Sequence, residues 1–109
     1  MNANGMARGY MAKGMNEEQF LQHVLYCMET ELMEREENLA IWHRWTSNRK
    51  QCQLGFVLKG ELFMFDLNRE IIRSLQKRSP YALDRFLWTE LLKYEITVQD
   101  DHYLRTVFR

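Results

Sequence analysis

Residues 55–66, GFVLKGELFMFD, form the most apolar segment of the chain. Two short apolar runs, FVL at 56–58 and LFMF at 62–65, flank a polar break of Lys59, Gly60 and Glu61. Short runs rich in aromatic and β-branched residues predict buried strands, and a Lys-Gly-Glu break suits a tight turn. We therefore expect a β-hairpin at the centre of the core.

Upstream of the hairpin, the sequence predicts a tail and then helices. Residues 1–15 hold three of the five glycines and little that packs, so we expect a flexible N-terminal tail. Asn16 is a good N-cap, and Gln19 three residues later resembles a capping box. An apolar stripe with helical spacing follows: Phe20, Leu21, Val24, Leu25, Met28 and Leu32. A second apolar pattern predicts a helix over residues 39–46.

Immediately after the hairpin, the pattern changes from strand to helix. We expect strand to Phe65 and helix over residues 67–78, although residues 61–78 also fit one long helix. Ser79 and Pro80 have the residue types of an N-cap and a first helical position, so they predict the start of another helix. The apolar residues that follow at helical spacing are Leu83, Phe86, Leu87, Leu91 and Tyr94.

The C-terminal part predicts a further strand pair. Residues 96–98, Ile-Thr-Val, have strand composition, and residues 103–108 are expected to return as their antiparallel partner. The predicted architecture is one small α+β domain over residues 16–109. Three to four amphipathic helices pack on a short antiparallel sheet of up to four strands, built around the central hairpin.

Composition and charge exclude several classes of protein. The net charge is zero, which argues against a protein that acts mainly as a polycation on nucleic acid. Residues 41–78 nevertheless carry eight basic and three acidic side chains, so the middle of the chain is basic. No apolar run approaches the roughly 20 residues of a membrane span, and the N-terminus lacks a signal peptide's apolar region. Two cysteines are too few for a disulfide framework. We expect a cytoplasmic protein with free, buried thiols.

One cluster of indoles and cations predicts a contact with another protein. Tryptophan and arginine are enriched at protein interfaces, and aromatic and basic residues alternate here over a short stretch. A plainer interpretation buries both indoles in the core, from positions three apart on a helix. The predicted partner-binding residues are Trp42, Arg44, Trp45, Arg49 and Lys50.

A second basic set allows a nucleic-acid alternative. Residues spaced four apart lie on one stripe of a helix, and a cationic stripe can follow a phosphate backbone. Such a stripe is more often a solvated helix face, and the chain lacks a convincing helix-turn-helix. The residues of this alternative are Arg49, Lys50, Arg69, Arg73 and Lys77.

A third interpretation is a small enzyme or metal protein. His23 and Cys27 are four apart on the first predicted helix, and His43 and Cys52 lie elsewhere. These residues lack the short spacings of zinc sites and the sequence context of a catalytic cysteine. We therefore predict no catalytic residues, no metal site and no cofactor.

The leading hypothesis is thus a small non-catalytic protein that binds another protein as a regulator, inhibitor or adaptor. A nucleic-acid-binding transcriptional regulator is the alternative, and no membrane partner is expected. The exposed edges of a small antiparallel sheet also allow a homodimer.

Overall fold

The computed structural model describes residues 5–34, 39–93 and 102–108. Within these residues, five helices pack on a three-stranded antiparallel sheet with strand order β1-β2-β3, which confirms the predicted α+β class. The elements in chain order are α1 (Gly5–Gly14), α2 (Glu17–Met33), β1 (Ala40–Trp45), β2 (Gln51–Leu58), β3 (Glu61–Asn68), α3 (Arg69–Arg78), α4 (Ala82–Leu92) and α5 (His102–Val107).

The predicted hairpin is confirmed as β2 and β3. Lys59 and Gly60 form its two-residue turn, with φ of 53° and 80°. Positive φ at both central positions is the geometry that matches the twist of the flanking strands, and glycine adopts it without steric cost. The register pairs Leu54 with Phe65, so that both side chains lie on the same face and enter the core.

The predicted helix over residues 39–46 is wrong, because residues 40–45 form strand β1. This strand pairs antiparallel with β2, with Trp42 opposite Gly55. Exposure alternates along β1 with a period of two, as in a strand that has one buried face. A short apolar run fits both periods, and pairing with β2 selects the strand.

The two faces of the sheet have different environments. The inner face contributes to the core beneath the helices. Its side chains are Ile41, His43 and Trp45 from β1, Cys52, Leu54, Phe56 and Leu58 from β2, and Glu61, Phe63, Phe65 and Leu67 from β3. The outer face contributes no side chain to the core among the described residues. Its residues are Ala40, Trp42, Arg44, Gln51, Gln53, Gly55, Val57, Leu62, Met64, Asp66 and Asn68.

Side-chain caps define the starts of α2 and α3. The predicted capping box at Asn16 is confirmed: its Oδ1 accepts from the backbone of Gln19 at 2.8 Å, and the Gln19 side chain accepts from the Asn16 backbone at 3.1 Å. Strand β3 extends three residues beyond the predicted Phe65. It ends where Asn68 caps α3 by accepting from Ile71 N at 2.7 Å.

The predicted helix after Pro80 is confirmed as α4, but its start is not where the sequence places it. Tyr81 is the N-cap residue and makes no side-chain capping bond. Ser79 instead ends α3, with its backbone N–H bonded to Leu75 O at 3.4 Å. The Pro80 carbonyl accepts from the Arg8 guanidinium at 3.1 Å, so this turn is held by a distant residue.

Residues 5–14, which the sequence assigns to a tail, form helix α1 instead. Arg8 is buried in the domain, and Met11 and Ala12 pack on the core. The Gln76 side chain of α3 donates to the backbone oxygens of Ala12 and Met15, both at 2.8 Å. These bonds satisfy carbonyls at the end of α1 that lack helical partners.

The predicted strand over residues 103–108 is wrong, because His102–Val107 form α5. Tyr103, Leu104 and Val107 are buried and share one helical face. The strand predicted at 96–98 lies outside the described residues.

Candidate protein-binding surface

Strand alternation separates the two predicted indoles. Trp42 and Arg44 lie on the outer face of β1, whereas Trp45 lies on the inner face. Arg49 and Lys50 are exposed in the loop that joins β1 to β2. The predicted partner-binding residues are therefore neighbours along the chain that belong to two different surfaces.

Trp42 lies across the outer face of the sheet. A Cβ atom at Gly55 would approach the Trp42 ring to 2.1 Å, so only glycine at that position lets the indole rest on β2. Trp42 is still 36% exposed, and its outer-face neighbours Leu62 and Met64 are 54% and 43% exposed. The result is an exposed apolar patch on the outer face of the sheet.

Trp45 lies beside the start of α3. The guanidinium carbon of Arg69 is 4.9 Å from the centre of its ring, within the range of a cation–π contact. The Trp45 Nε1 atom is buried and has no hydrogen-bond partner among the described residues. This indole is thus held by packing and by Arg69.

The loop at residues 46–50 has a defined conformation. Asn48 Oδ1 accepts from Thr46 Oγ1 at 2.7 Å and from Lys50 N at 3.0 Å, and Arg49 has a φ of 60°. Arg69 fastens the loop to α3, because its backbone N donates to Lys50 O at 2.8 Å and its Nε to Arg49 O at 2.9 Å.

An open cleft of about 590 Å³ lies between this loop, β1 and the N-terminal half of α2. That volume falls within the range of typical ligand sites. The cleft brings together three of the predicted partner-binding residues, Arg44, Trp45 and Arg49, and its lining also includes His43, Asn16, Glu18, Gln19 and Gln22. Trp42 and Lys50 do not line it.

Three of the five basic residues of the nucleic-acid alternative have carboxylate partners close by. Arg69 binds Glu17 at 2.8 Å and also binds Glu18, and Arg73 binds Glu17 at 3.3 Å and Glu70 at 2.9 Å. Arg49 lies 3.6 Å from Glu18. Lys77 is exposed on α3. The acidic first turn of α2 therefore offsets much of the charge of the basic stripe.

The pKa of Glu17 reflects its ion pairs with Arg69 and Arg73. Burial would raise the pKa of its carboxyl, but hydrogen bonds from Arg69 and Arg73 outweigh burial and lower the pKa below its ordinary value. The carboxylate is thereby stabilised in its charged form.

The sequence interpretation missed a buried ion pair between α1 and α4. Arg8 binds both carboxylate oxygens of Asp84, one of them at 2.9 Å, and both side chains are almost completely buried. Burial opposes the charge on Arg8, yet its bonds with Asp84 raise the arginine pKa. One signal was available: Asp84 lies on the apolar face of α4 with Leu87 and Leu91, where an acid requires a partner.

Further polar groups complete this buried centre. Tyr103 OH donates to Asp84 at 2.7 Å and accepts from Trp88 Nε1 at 3.0 Å. Burial, followed by the Asp84 charge, raises the pKa of Tyr103 well above its ordinary value. Arg8 also contacts Cys27 Sγ at 3.4 Å. The centre joins α1, α2, α4 and α5, which is a structural role.

The histidine–cysteine pair of the third interpretation is present, but burial disfavours the charged form of both side chains. His23 Nε2 lies 3.6 Å from Cys27 Sγ. Burial raises the pKa of the Cys27 thiol and lowers that of His23, and burial raises the pKa of the Cys52 thiol to about 11. These shifts disfavour the thiolate that a nucleophile or metal ligand requires. The residues described hold no group of three or more potential metal ligands.

Comparisons with known proteins identify no relative of this chain. No protein-family model matches it, and neither curated proteins nor solved structures give a significant match. None of the described helices is both long and apolar enough to cross a membrane. The proposed function is therefore inferred from the surfaces of the molecule itself.

Proposed function

We propose that this protein is a non-catalytic regulator, inhibitor or adaptor that binds another protein along strand β1. The partner contributes an extended segment, which lies beside Ala40–Trp45 and sends alternate side chains into the cleft at α2. The observation that carries the proposal is an edge strand bordered by an open cleft.

The backbone of β1 supports this mode of binding. Among the described residues β1 pairs with β2 alone, so the backbone groups on its other side have no strand partner. An added strand satisfies such groups by main-chain hydrogen bonds, while pockets beside the edge select alternate side chains. Six residues at about 3.3 Å each give an edge of roughly 20 Å, long enough for a short peptide.

The cleft lining favours polar or acidic partner side chains. Arg49 supplies a cationic group, and Gln19 and Gln22 offer amides that donate and accept hydrogen bonds. Arg49 is 61% exposed at its ion pair with Glu18, so an incoming carboxylate can exchange with that loose contact.

The nucleic-acid alternative receives less support from the geometry. Three of its five residues, Arg49, Arg69 and Arg73, form ion pairs with glutamates, and a phosphate would have to displace those carboxylates. Its signature would be an affinity that falls steeply with salt for DNA or RNA probes.

Selection of peptides by the intact protein tests the proposal. A random-peptide display library supplies the probes, and amide hydrogen exchange of the protein with a selected peptide locates its binding site. We expect slower exchange at residues 40–45, and we expect acidic residues to be enriched at alternate positions of the selected peptides.

A charge reversal in the cleft provides the matched control. We expect Arg49→Glu to weaken binding of a selected acidic peptide by roughly tenfold, the effect of about 1.4 kcal/mol. Lys77→Glu makes the same charge change on α3 outside the cleft and is expected to leave affinity unchanged. Protection confined to other elements, or equal effects of the two variants, would contradict the proposal.

A further inference from the structure

The outer face of the sheet carries a pattern that is complementary to itself. Three rows of directly paired residues cross the strands from β1 through β2 to β3. Only the row nearest the β1–β2 loop carries charge, with a cation at one end and an acid at the other. The rows are Ala40, Val57, Leu62; Trp42, Gly55, Met64; and Arg44, Gln53, Asp66.

We infer that the protein forms a two-fold symmetric dimer in which the outer faces of two sheets pack together, with the symmetry axis parallel to β2. This axis reverses each row, so Arg44 of one copy lies opposite Asp66 of the other, and the reverse contact forms as well. Trp42 likewise lies opposite Met64, and because each Trp42 ring covers its own Gly55, the two rings lie near the axis at the centre. Such an interface uses one patch twice, as two-fold dimers require.

The alternative symmetry is excluded by the same pattern. An axis in the interface plane but perpendicular to the strands would place the Arg44 row over the Ala40 row. Both charges would then be buried against apolar side chains, which is costly. Only the axis along β2 pairs charge with charge and apolar with apolar.

The exposure and charge of the face support self-association. Trp42, Leu62 and Met64 are all at least 36% exposed, and the Trp42 ring lies flat where Gly55 leaves room for it. Arg44 and Asp66 are exposed, and neither makes an ion pair with another residue in the described part of the chain. Each therefore has a charge available for the second copy. Two such faces pack about 10 Å apart with nearly aligned strands.

The decisive experiment exploits reciprocity between two charge reversals. Sedimentation measured from micromolar to millimolar concentration gives the dimerisation constant of the full chain. Arg44→Asp leaves only acids in the row, and Asp66→Arg leaves only cations, so each variant repels itself. Since a dimer contains two such contacts and each costs roughly tenfold, we expect dimerisation about a hundredfold weaker in either variant.

Mixing the two variants restores both contacts. The new carboxylate at position 44 of one chain then faces the new guanidinium at position 66 of the other, and the unaltered Arg44 faces the unaltered Asp66. We therefore expect a heterodimer from two chains that do not dimerise alone, and we expect the double variant to dimerise again. Arg78→Asp is the control, because it makes the same change on α3 away from this face, and circular dichroism verifies that every variant is folded.

Three outcomes would overturn the inference. They are a monomer at millimolar concentration, single reversals that dimerise like the parent chain, and a mixture that forms no heterodimer. Asp66 does not line the cleft at α2, so Asp66→Arg is expected to retain peptide binding. Dimerisation can therefore be refuted while peptide binding at β1 is supported, and peptide binding can be refuted while dimerisation is supported.

Discussion

Arg8 and Arg69 each bind carboxylates on elements that are distant in sequence, but the two arginines lie in opposite environments. Arg8 is 1% exposed and bound to Asp84, whereas Arg69 is about one-fifth exposed and bound to Glu17 and Glu18. A buried charge must keep its partner, since losing it leaves an uncompensated ion in the core. A partly exposed charge is partly solvated and can exchange partners at small cost. The first centre therefore holds the helices together, and the second positions the β1–β2 loop beside the cleft while leaving it adjustable.

The largest effect is expected when the buried pair is broken from one side. Asp84→Asn keeps the shape of the side chain but leaves Arg8 charged without a counterion, so we expect a loss of about 3–5 kcal/mol in the free energy of unfolding. Urea denaturation measures it. Glu90→Gln on the same helix is the control, because Glu90 makes a surface pair with Lys93. Equal losses for the two variants would show that burial does not distinguish these carboxylates.

The hydroxyl of Tyr103 is expected to contribute less than the Arg8–Asp84 pair to the stability of the buried centre. Tyr103→Phe removes the bond to Asp84 and leaves the indole N–H of Trp88 without its acceptor. We expect a loss of about 2 kcal/mol, the cost of leaving buried polar groups unsatisfied. Thermal denaturation followed by circular dichroism measures the change. Exposed Tyr26→Phe is the control, and a Tyr103→Phe protein as stable as that control would refute the expectation.

At the partly exposed centre around Arg69, Arg69→Ala is expected to lower the free energy of unfolding by only about 1 kcal/mol, because solvent replaces part of what the carboxylates supply. The variant also loosens the loop, since Arg49 O loses its bond from the Arg69 Nε, whereas the backbone bond from residue 69 to Lys50 O remains. Urea denaturation gives the energy, and faster amide exchange in residues 46–50 reports the loop. Arg78→Ala on the same helix serves as the control. A loss of unfolding free energy as large as that of Asp84→Asn would contradict the expected difference between the two arginines.

The smallest effect is a pH dependence at Glu17. Its pKa in the folded protein lies below the ordinary value of 4.5, so its stabilising contribution is present above that value and is lost as pH falls through the folded pKa. We expect the stability difference between the parent chain and Glu17→Gln to shrink from about pH 6 to about pH 3. Urea midpoints across this interval test it. A difference that stays constant would mean that Arg69 and Arg73 do not act on the Glu17 charge.

Local signals predicted the parts of the fold whose partners are near in sequence. The hairpin follows from two apolar runs around Lys59 and Gly60, and α2 follows from the Asn16 capping box and its apolar stripe. The misassigned segments are short, and their structure depends on contacts outside their own residues. Strand β1 was assigned as a helix because eight residues fit both periods, and α1 was overlooked because its anchor, Asp84, is 76 positions from Arg8.

The candidate site shows the same division. Three of the residues predicted near β1 line the cleft, but the predicted helix placed both indoles on one surface. Strand geometry sends residues 42 and 45 to opposite faces, since they are an odd number of positions apart. The cleft at α2 had no signal of its own, because its walls come from elements far apart in the chain.

The sequence by itself determined the α+β class, the hairpin turn and the start of α2, because each depends on backbone preferences and side chains within a few residues. The tertiary structure alone decided that residues 40–45 are a strand, that α1 docks, and that the outer sheet face is left open. Those outcomes depend on contacts outside each segment: β1 with β2, Arg8 with Asp84, and Arg69 with the first turn of α2. Such contacts form only once the chain has folded, so no local pattern encodes them.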